Sequence, residues 1–297
     1  MIAASAYRSD RMMNGWFPEK LFRYRGTTSK HFDEELEQLR DNRVWLNFLD
    51  TQNDPFEGCV SHRVGTYDEF TSKHRELRDL LAKEFPGFEL LPETISEQDF
   101  NICNIQSPLF HETVRQQAVV ASFSKGWQST LMWGHYADAF KGICLQFTAS
   151  PTAGVEGPPF FPVQYWKEEP PEFSSFDFFV QTRVAVSLSG LTESEQRTTI
   201  ANLAYEKIKV AATSKSYDWV YEEEVRMASF LGVPGYYQVP GMKLTGVIFG
   251  PRVEAPTYSR VMNALGEGID YFRMDLRANA YGYVLFPITT PAKQAFL

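Results

Sequence analysis

Residues Leu21–Gly26, LFRYRG, alternate aromatic or apolar side chains with basic ones at a period of two. That is the repeat of a strand with one face in a core and the other carrying Arg23 and Arg25. Helical spacing follows at once. Phe32, Leu36 and Leu39 recur among acidic residues, Asp41-Asn42 supplies a stop, and Val44–Phe48 resumes an apolar run. A chain that switches between these two periods so early must bury both helices and strands, which restricts it to a mixed architecture.

The same switching continues. Thr66–Phe85 reads as an amphipathic helix ended by Pro86-Gly87, and Ala118–Phe123, Thr130–Ala139 and Gly142–Phe147 read as strand, short helix and strand. Pro151–Pro159 and Lys167–Phe173 are loops around a strand-like Phe160–Trp166, and Glu193–Thr213 is the longest helical pattern. Strands are expected near Leu244–Phe249, Ile269–Arg273 and Tyr283–Ile288, with a helix near Ala255–Leu265. Neither an internal repeat nor a low-complexity tract is present. The expected fold class is α+β, with residues 1–297 as one decorated domain.

Hydrophobic residues make up 43% and aromatics 15% of the chain, enough for a large core without staples. A net charge of -8 argues against general nucleic-acid binding, which needs surplus Lys and Arg. Cys59, Cys103 and Cys144 are odd in number and far apart, so they read as free thiols. No apolar run reaches the roughly 18–20 residues of a membrane span, and Met1–Asp10 lacks a secretory h-region. The expected setting is therefore the cytoplasm, with no membrane partner.

Three polar motifs stand out. Asn53-Asp54-Pro55-Phe56-Glu57 is a natural turn, because Asn and Asp bond nearby amides and Pro fixes φ; alternatively it borders a pocket. Ser122-Phe123-Ser124 puts two hydroxyls on one strand face, as ligand contacts or as a cap for the helix bearing Met132-Trp133-Gly134-His135-Tyr136. In that helix His135 is either a base or a packing residue. The third motif is Lys215, Trp219 and then Glu222-Glu223-Glu224-Val225-Arg226. If a strand begins at Glu222, then Glu222, Glu224 and Arg226 share a face, as a surface charge ladder or as two carboxylates with different tasks.

Taken together, Leu21–Arg25, Asn53–Glu57, Ser122-Phe123-Ser124, Met132-Trp133 with His135–Asp138, Gly142-Ile143-Cys144, Tyr165, and Trp219 with Glu222, Glu224 and Arg226 resemble a bacterial family catalogued as domain of unknown function 2971. The resemblance runs from about residue 21 to about residue 250. Arg on an early strand, Ser-x-Ser on a middle one and Glu-x-Glu on a late one is also similar to the Arg, Ser, Glu pattern of ADP-ribosyltransferases. Here the middle element is Ser-Phe-Ser, and the motifs are separated by longer insertions than in compact transferases.

This second similarity implies a mixed, mainly antiparallel central sheet, intact or split, flanked by helices. It implies NAD as substrate, an acceptor of unknown identity, and no metal. Toxin or defence roles are among the settings it suggests. Glu224 would hold the ribose 2′-hydroxyl, Glu222 would orient or deprotonate the acceptor, and Arg25 would pair with a phosphate. Ser122 or Ser124 would position the ribose or Glu224. Trp133, His135 or Tyr136 would stack on or bond the nicotinamide, while Tyr24, Asn53, Asp54, Glu57 and Arg226 complete the candidate ligand-binding set. Two other classes compete. Asp54, Glu57, Glu222 and Glu224 offer the oxygens of a Mg²⁺ phosphodiesterase or nuclease site, and the same residues also suit a non-catalytic ligand or partner surface.

Overall fold

The computed structural model describes residues 18–288 apart from 62–64, 85, 88–90, 155 and 189–191. The segment Met1–Asp10 considered above lies outside the described residues. The first six strands are β1 Lys20–Arg25, β2 Arg43–Phe48, β3 Val119–Ser124, β4 Ile143–Ala149, β5 Phe160–Pro162 and β6 Gln164–Trp166. Six more follow: β7 Ser214–Ser216, β8 Glu224–Ser229, β9 Gly235–Gln238, β10 Met242–Phe249, β11 Asp270–Leu276 and β12 Tyr283–Pro287. The helices are α1 Phe32–Arg40, α2 Tyr67–Glu84, α3 Glu97–Gln117, α4 Thr130–Tyr136, α5 Ser175–Leu188, α6 Glu193–Ala212 and α7 Ala255–Leu265.

A large sheet runs β12-β11-β10-β4-β1-β3-β2-β9, with β8 on β3 and β5 on β8, and β6 pairs with β7 separately. Within the large sheet β10–β11 is parallel and the other pairings are antiparallel. The fold is thus α+β with a mainly antiparallel mixed sheet. Phe32, Leu36 and Leu39 of α1 and Val261 and Leu265 of α7 pack on Leu21, Leu145, Phe147 and Val247. On the opposite face, Phe22, Tyr24 and Cys144 meet Met132 and Trp133 of α4. A further cluster joins Val114 of α3 and Ile208 and Ala211 of α6 to Val120, Phe161 and Ala228.

The sheet opens in one place. β3 pairs with β8 along its whole length, Val119 to Ser124. On its other edge it meets β2 only at Val119 and Val120, and β1 only at Ser124 opposite Phe22. Between those ends β1 and β3 part, and a cleft lies in the gap.

Two helices escaped the sequence reading. α3 carries Pro108 in its interior, a residue that normally argues against helix. Its start is set instead by a capping box, with the Ser96 side chain accepting from the Asp99 amide and Asp99 returning the bond. α5, SFDFFVQTRVAVSL, mixes aromatic and β-branched residues without a clear polar stripe. The strand-like Phe160–Trp166 is two short strands, β5 and β6, belonging to different sheets.

The end of β1 is held by a close approach that only glycine permits. A Cβ on Gly142 would lie 2.3 Å from the Arg25 carbonyl and 2.9 Å from the Ala137 backbone. Gly142→Ala must push β1 away from the α4–β4 turn, so we expect a loss of about 2–3 kcal/mol in unfolding free energy, measured by urea denaturation. A variant as stable as wild type would show that this contact does not hold the strand.

Candidate functional site

The cleft between β1 and β3 has a volume of about 660 Å³, within the range of small-molecule sites. The motif-bearing strands meet there because they are neighbours: Ser124 faces Phe22 on one side and Glu224 on the other, and Ser122 faces Arg226. Tyr24, Arg25, Asn53, Ser122, Ser124, Tyr136, Glu222 and Glu224 all line it. Residues far apart in sequence are therefore joined in one cavity.

Below this wall lies a buried ion cage. Arg226 is inaccessible to solvent; its Nε donates to Glu224 Oε1 at 2.8 Å and its Nη2 to Glu57 Oε1 at 2.7 Å. Lys215 Nζ lies 2.6 Å from Glu222, 3.2 Å from Glu224 and 3.3 Å from Glu57. Trp219 covers the ammonium, with its ring centroid 4.9 Å away. The Tyr136 hydroxyl donates to Glu222 Oε1 at 2.5 Å, and the Glu224 amide donates to the Tyr165 hydroxyl at 2.8 Å.

Three carboxylates against two cations leave one excess negative charge if all are ionised. The environment divides that burden unevenly. Burial opposes ionisation of Glu224, but Arg226 and Lys215 outweigh it, helped by the Ser122 hydroxyl, and hold its pKa well below the ordinary carboxylate value. At Glu222, burial and then repulsion from Glu224 prevail over Lys215 and Tyr136, so its pKa is raised. Burial likewise raises Glu57, against the attraction of Arg226. For Lys215 burial is outweighed by Glu224 and Glu57, and the ammonium is held charged. The cleft wall thus presents one carboxylate held ionised beside one whose pKa is raised.

Several expectations change. β8 begins at Glu224, not Glu222: Tyr217–Glu222 is a 3-10 turn and Glu223 takes a left-handed φ of 44°. Glu222 and Glu224 still converge, but through this kink and Lys215 rather than through strand alternation. Arg25 forms an ion pair with Glu35 at 2.6 Å, so its charge is already matched. Trp133 is fully buried, packs edge to face on Tyr24 and donates its Nε1 to the Trp127 carbonyl, so it offers no ring face to a ligand. Arg226 and Glu57 belong to the cage, and Asp54 is the turn residue, accepting from the Phe56 amide at 2.9 Å. His135 is exposed and lies outside the cleft lining.

Arg23 is the residue that the sequence reading passed over. It reaches into the gap, where Nη1 donates to the Ser122 carbonyl and Nη2 to the Trp45 carbonyl, each at a long 3.4 Å, and the guanidinium carbon lies 5.5 Å from the centroid of the Phe123 ring. Its Nε is buried without a hydrogen-bond partner among the described residues. Burial, reinforced by Arg25 and opposed by Glu35, lowers its pKa to about 10, which leaves it charged at neutral pH. Only the period of β1 could have marked it, and that period marks Arg25 equally.

The short helix is held at its end by strain with compensation. Asp138, Ala139 and Phe140 have φ of 46°, 51° and 73°, a conformation unfavourable for residues with a Cβ. The Asp138 carboxylate offsets it by accepting from the Thr27 amide at 2.7 Å and from the Thr28 amide at 3.1 Å.

Residues 132–227 match the model of a protein family of unknown function, DUF2971. The DUF2971 match is narrower than the span expected from about residue 21 to about residue 250. It starts on α4 and ends on β8, so it contains Tyr136, Lys215, Glu222, Glu224 and Arg226, whereas Arg23, Glu57 and Ser122 precede it. No curated protein and no solved structure matches the chain. Among the described residues no helix is long and apolar enough to cross a membrane.

Removing one member of the cage should show its weight. Arg226→Leu leaves Glu57 and Glu224 buried without their guanidinium, and we expect about 3–5 kcal/mol lower unfolding free energy in urea at pH 7. A loss below about 1 kcal/mol would mean that Lys215 suffices as counterion.

Proposed function

We propose that the cleft cleaves the nicotinamide glycosidic bond of NAD, either by hydrolysis or by transfer of ADP-ribose to an acceptor. The observation that supports this is the pair Glu222 and Glu224, two carboxylates on one cleft wall whose protonation is pushed in opposite directions. When the bond between the ribose anomeric carbon and the ring nitrogen breaks, its electron pair neutralises the pyridinium and positive charge gathers on the ribose. A permanently ionised Glu224 stabilises that charge, and Ser122 keeps the carboxylate oriented. Glu222 accepts the proton of the attacking water or acceptor hydroxyl as the new bond to carbon forms. Arg23, the cation in the gap without a carboxylate partner, suits the diphosphate.

The Mg²⁺ reading has a weaker footing. Glu57, Glu222 and Glu224 already share Lys215, so a divalent ion among them has to displace an ammonium at 2.6–3.3 Å.

Nicotinamide release from NAD, with and without cell extract, is the direct assay. Glu224→Gln should lower the rate by about 10²-fold or more in a protein whose circular dichroism is unchanged. If wild type neither cleaves nor binds NAD under either condition, the proposal fails.

The pH dependence follows from the sign at Glu222. It serves as base only when ionised, and its pKa is raised, so the rate should climb with pH through a single ionisation above the ordinary carboxylate value. The Tyr136 hydroxyl favours the ionised form, so Tyr136→Phe should move that rise to higher pH. A pH–rate profile unmoved by the substitution would remove Glu222 from this role.

A further inference from the structure

The glycosidic chemistry occupies one wall of the cleft, and the β2–β9 edge supplies a wall of different character. Trp45 lies opposite Tyr236 in the strand register, with ring centroids 5.0 Å apart and planes at 76°. Both rings line the cleft, and Trp45 remains 39% exposed, a large flat surface left partly in water. Arg23 is directly adjacent, since its Nη2 contacts the Trp45 carbonyl at 3.4 Å while its Nε has no partner. Amides flank the same end. Asn47 Oδ1 accepts from the Phe48 amide, which leaves its NH₂ as a donor, and Gln52 Nε2 reaches the Phe48 carbonyl at 3.4 Å, which leaves its oxygen as an acceptor.

A guanidinium without an ion-pair partner among the described residues, a part-exposed indole and amide edges are complementary to a phosphate, a planar base and that base's hydrogen-bonding edge. We infer that the Trp45, Tyr236 and Arg23 end of the cleft is a nucleotide-recognition site, in which a purine stacks on Trp45 and its 5′-phosphate pairs with Arg23. The inference depends on the NAD reading only for which bond is broken at the other end of the cleft. A nucleotide with no scissile glycosidic cation occupies this end equally well.

AMP is therefore the probe, titrated calorimetrically into the full chain, with ribose 5-phosphate and adenosine as its two halves. Wild type should bind AMP more tightly than either half. Trp45→Ala should weaken AMP by about 10- to 100-fold, the range of one stacked base, with little effect on ribose 5-phosphate. Trp45→Phe, which keeps a flat ring, should retain most of the affinity. Arg23→Gln should weaken AMP and ribose 5-phosphate by about tenfold or more and leave adenosine unchanged. No AMP binding at millimolar concentration, or equal losses for AMP and ribose 5-phosphate in Trp45→Ala, would overturn the inference. AMP binding with this pattern in a protein that leaves NAD intact sustains the nucleotide site and sinks the glycosidic chemistry. Cleavage of NAD with no AMP binding does the reverse.

Discussion

Arg226 is out of reach of solvent; its Nε and Nη2 hold Glu224, Nη2 also donates to Glu57, and Nη1 donates to the Ala212 carbonyl at 2.6 Å. A guanidinium in that position is costly unless every partner is in place, so the contact couples three separate parts of the chain. Glu57 comes from the turn after β2, Ala212 ends α6, and Glu224 begins β8. Lys215 lies against the same carboxylates. Because Glu224 is already matched from below, it stays ionised despite burial, while burial and then repulsion from Glu224 raise the pKa of Glu222. The electrostatic asymmetry of the cleft wall is thus a product of the cage.

The space itself has a different origin. β1 and β3 share one residue pair, Phe22 with Ser124, and then part, and the cleft opens where they separate. Arg23 bridges the gap with two long bonds to carbonyls of β2 and β3, weak contacts for a charged group. The Asp138 carboxylate ties the left-handed turn after α4 to the loop after β1. One wall of the cleft therefore carries the caged Glu222 and Glu224, the β2–β9 edge forms another with Trp45 and Tyr236, and Arg23 stands in the gap with no ion-pair partner among the described residues.

Legibility varied with the range of the interactions involved. Local pattern was enough for α7, Ala255–Leu265, and for α6, β3 and β4 to within a residue or two. It failed for α3, where Pro108 masks a helix set by the Ser96 capping box, and for α5, which has no sharp polar face. It also placed Glu222 one element too late in character, on a strand, because a 3-10 turn followed by a left-handed Glu223 has no period to read.

The residue types of the candidate site were visible in the chain: Ser122-Phe123-Ser124, Glu222, Glu224, Tyr136 and the Asn53–Glu57 turn are distinctive by composition alone. What sequence determined was which side chains are available and which local elements carry them, since those depend on neighbours a few residues away. Tertiary structure decided which of them are free. Arg23 and Arg25 are equivalent by pattern, yet Glu35 of α1 neutralises one and the split sheet isolates the other. Trp133 and Trp45 are equivalent as aromatics, yet one is sealed under Tyr24 and the other is left at the cleft. Charge pairing and burial are set by groups distant in sequence, and no local period records them.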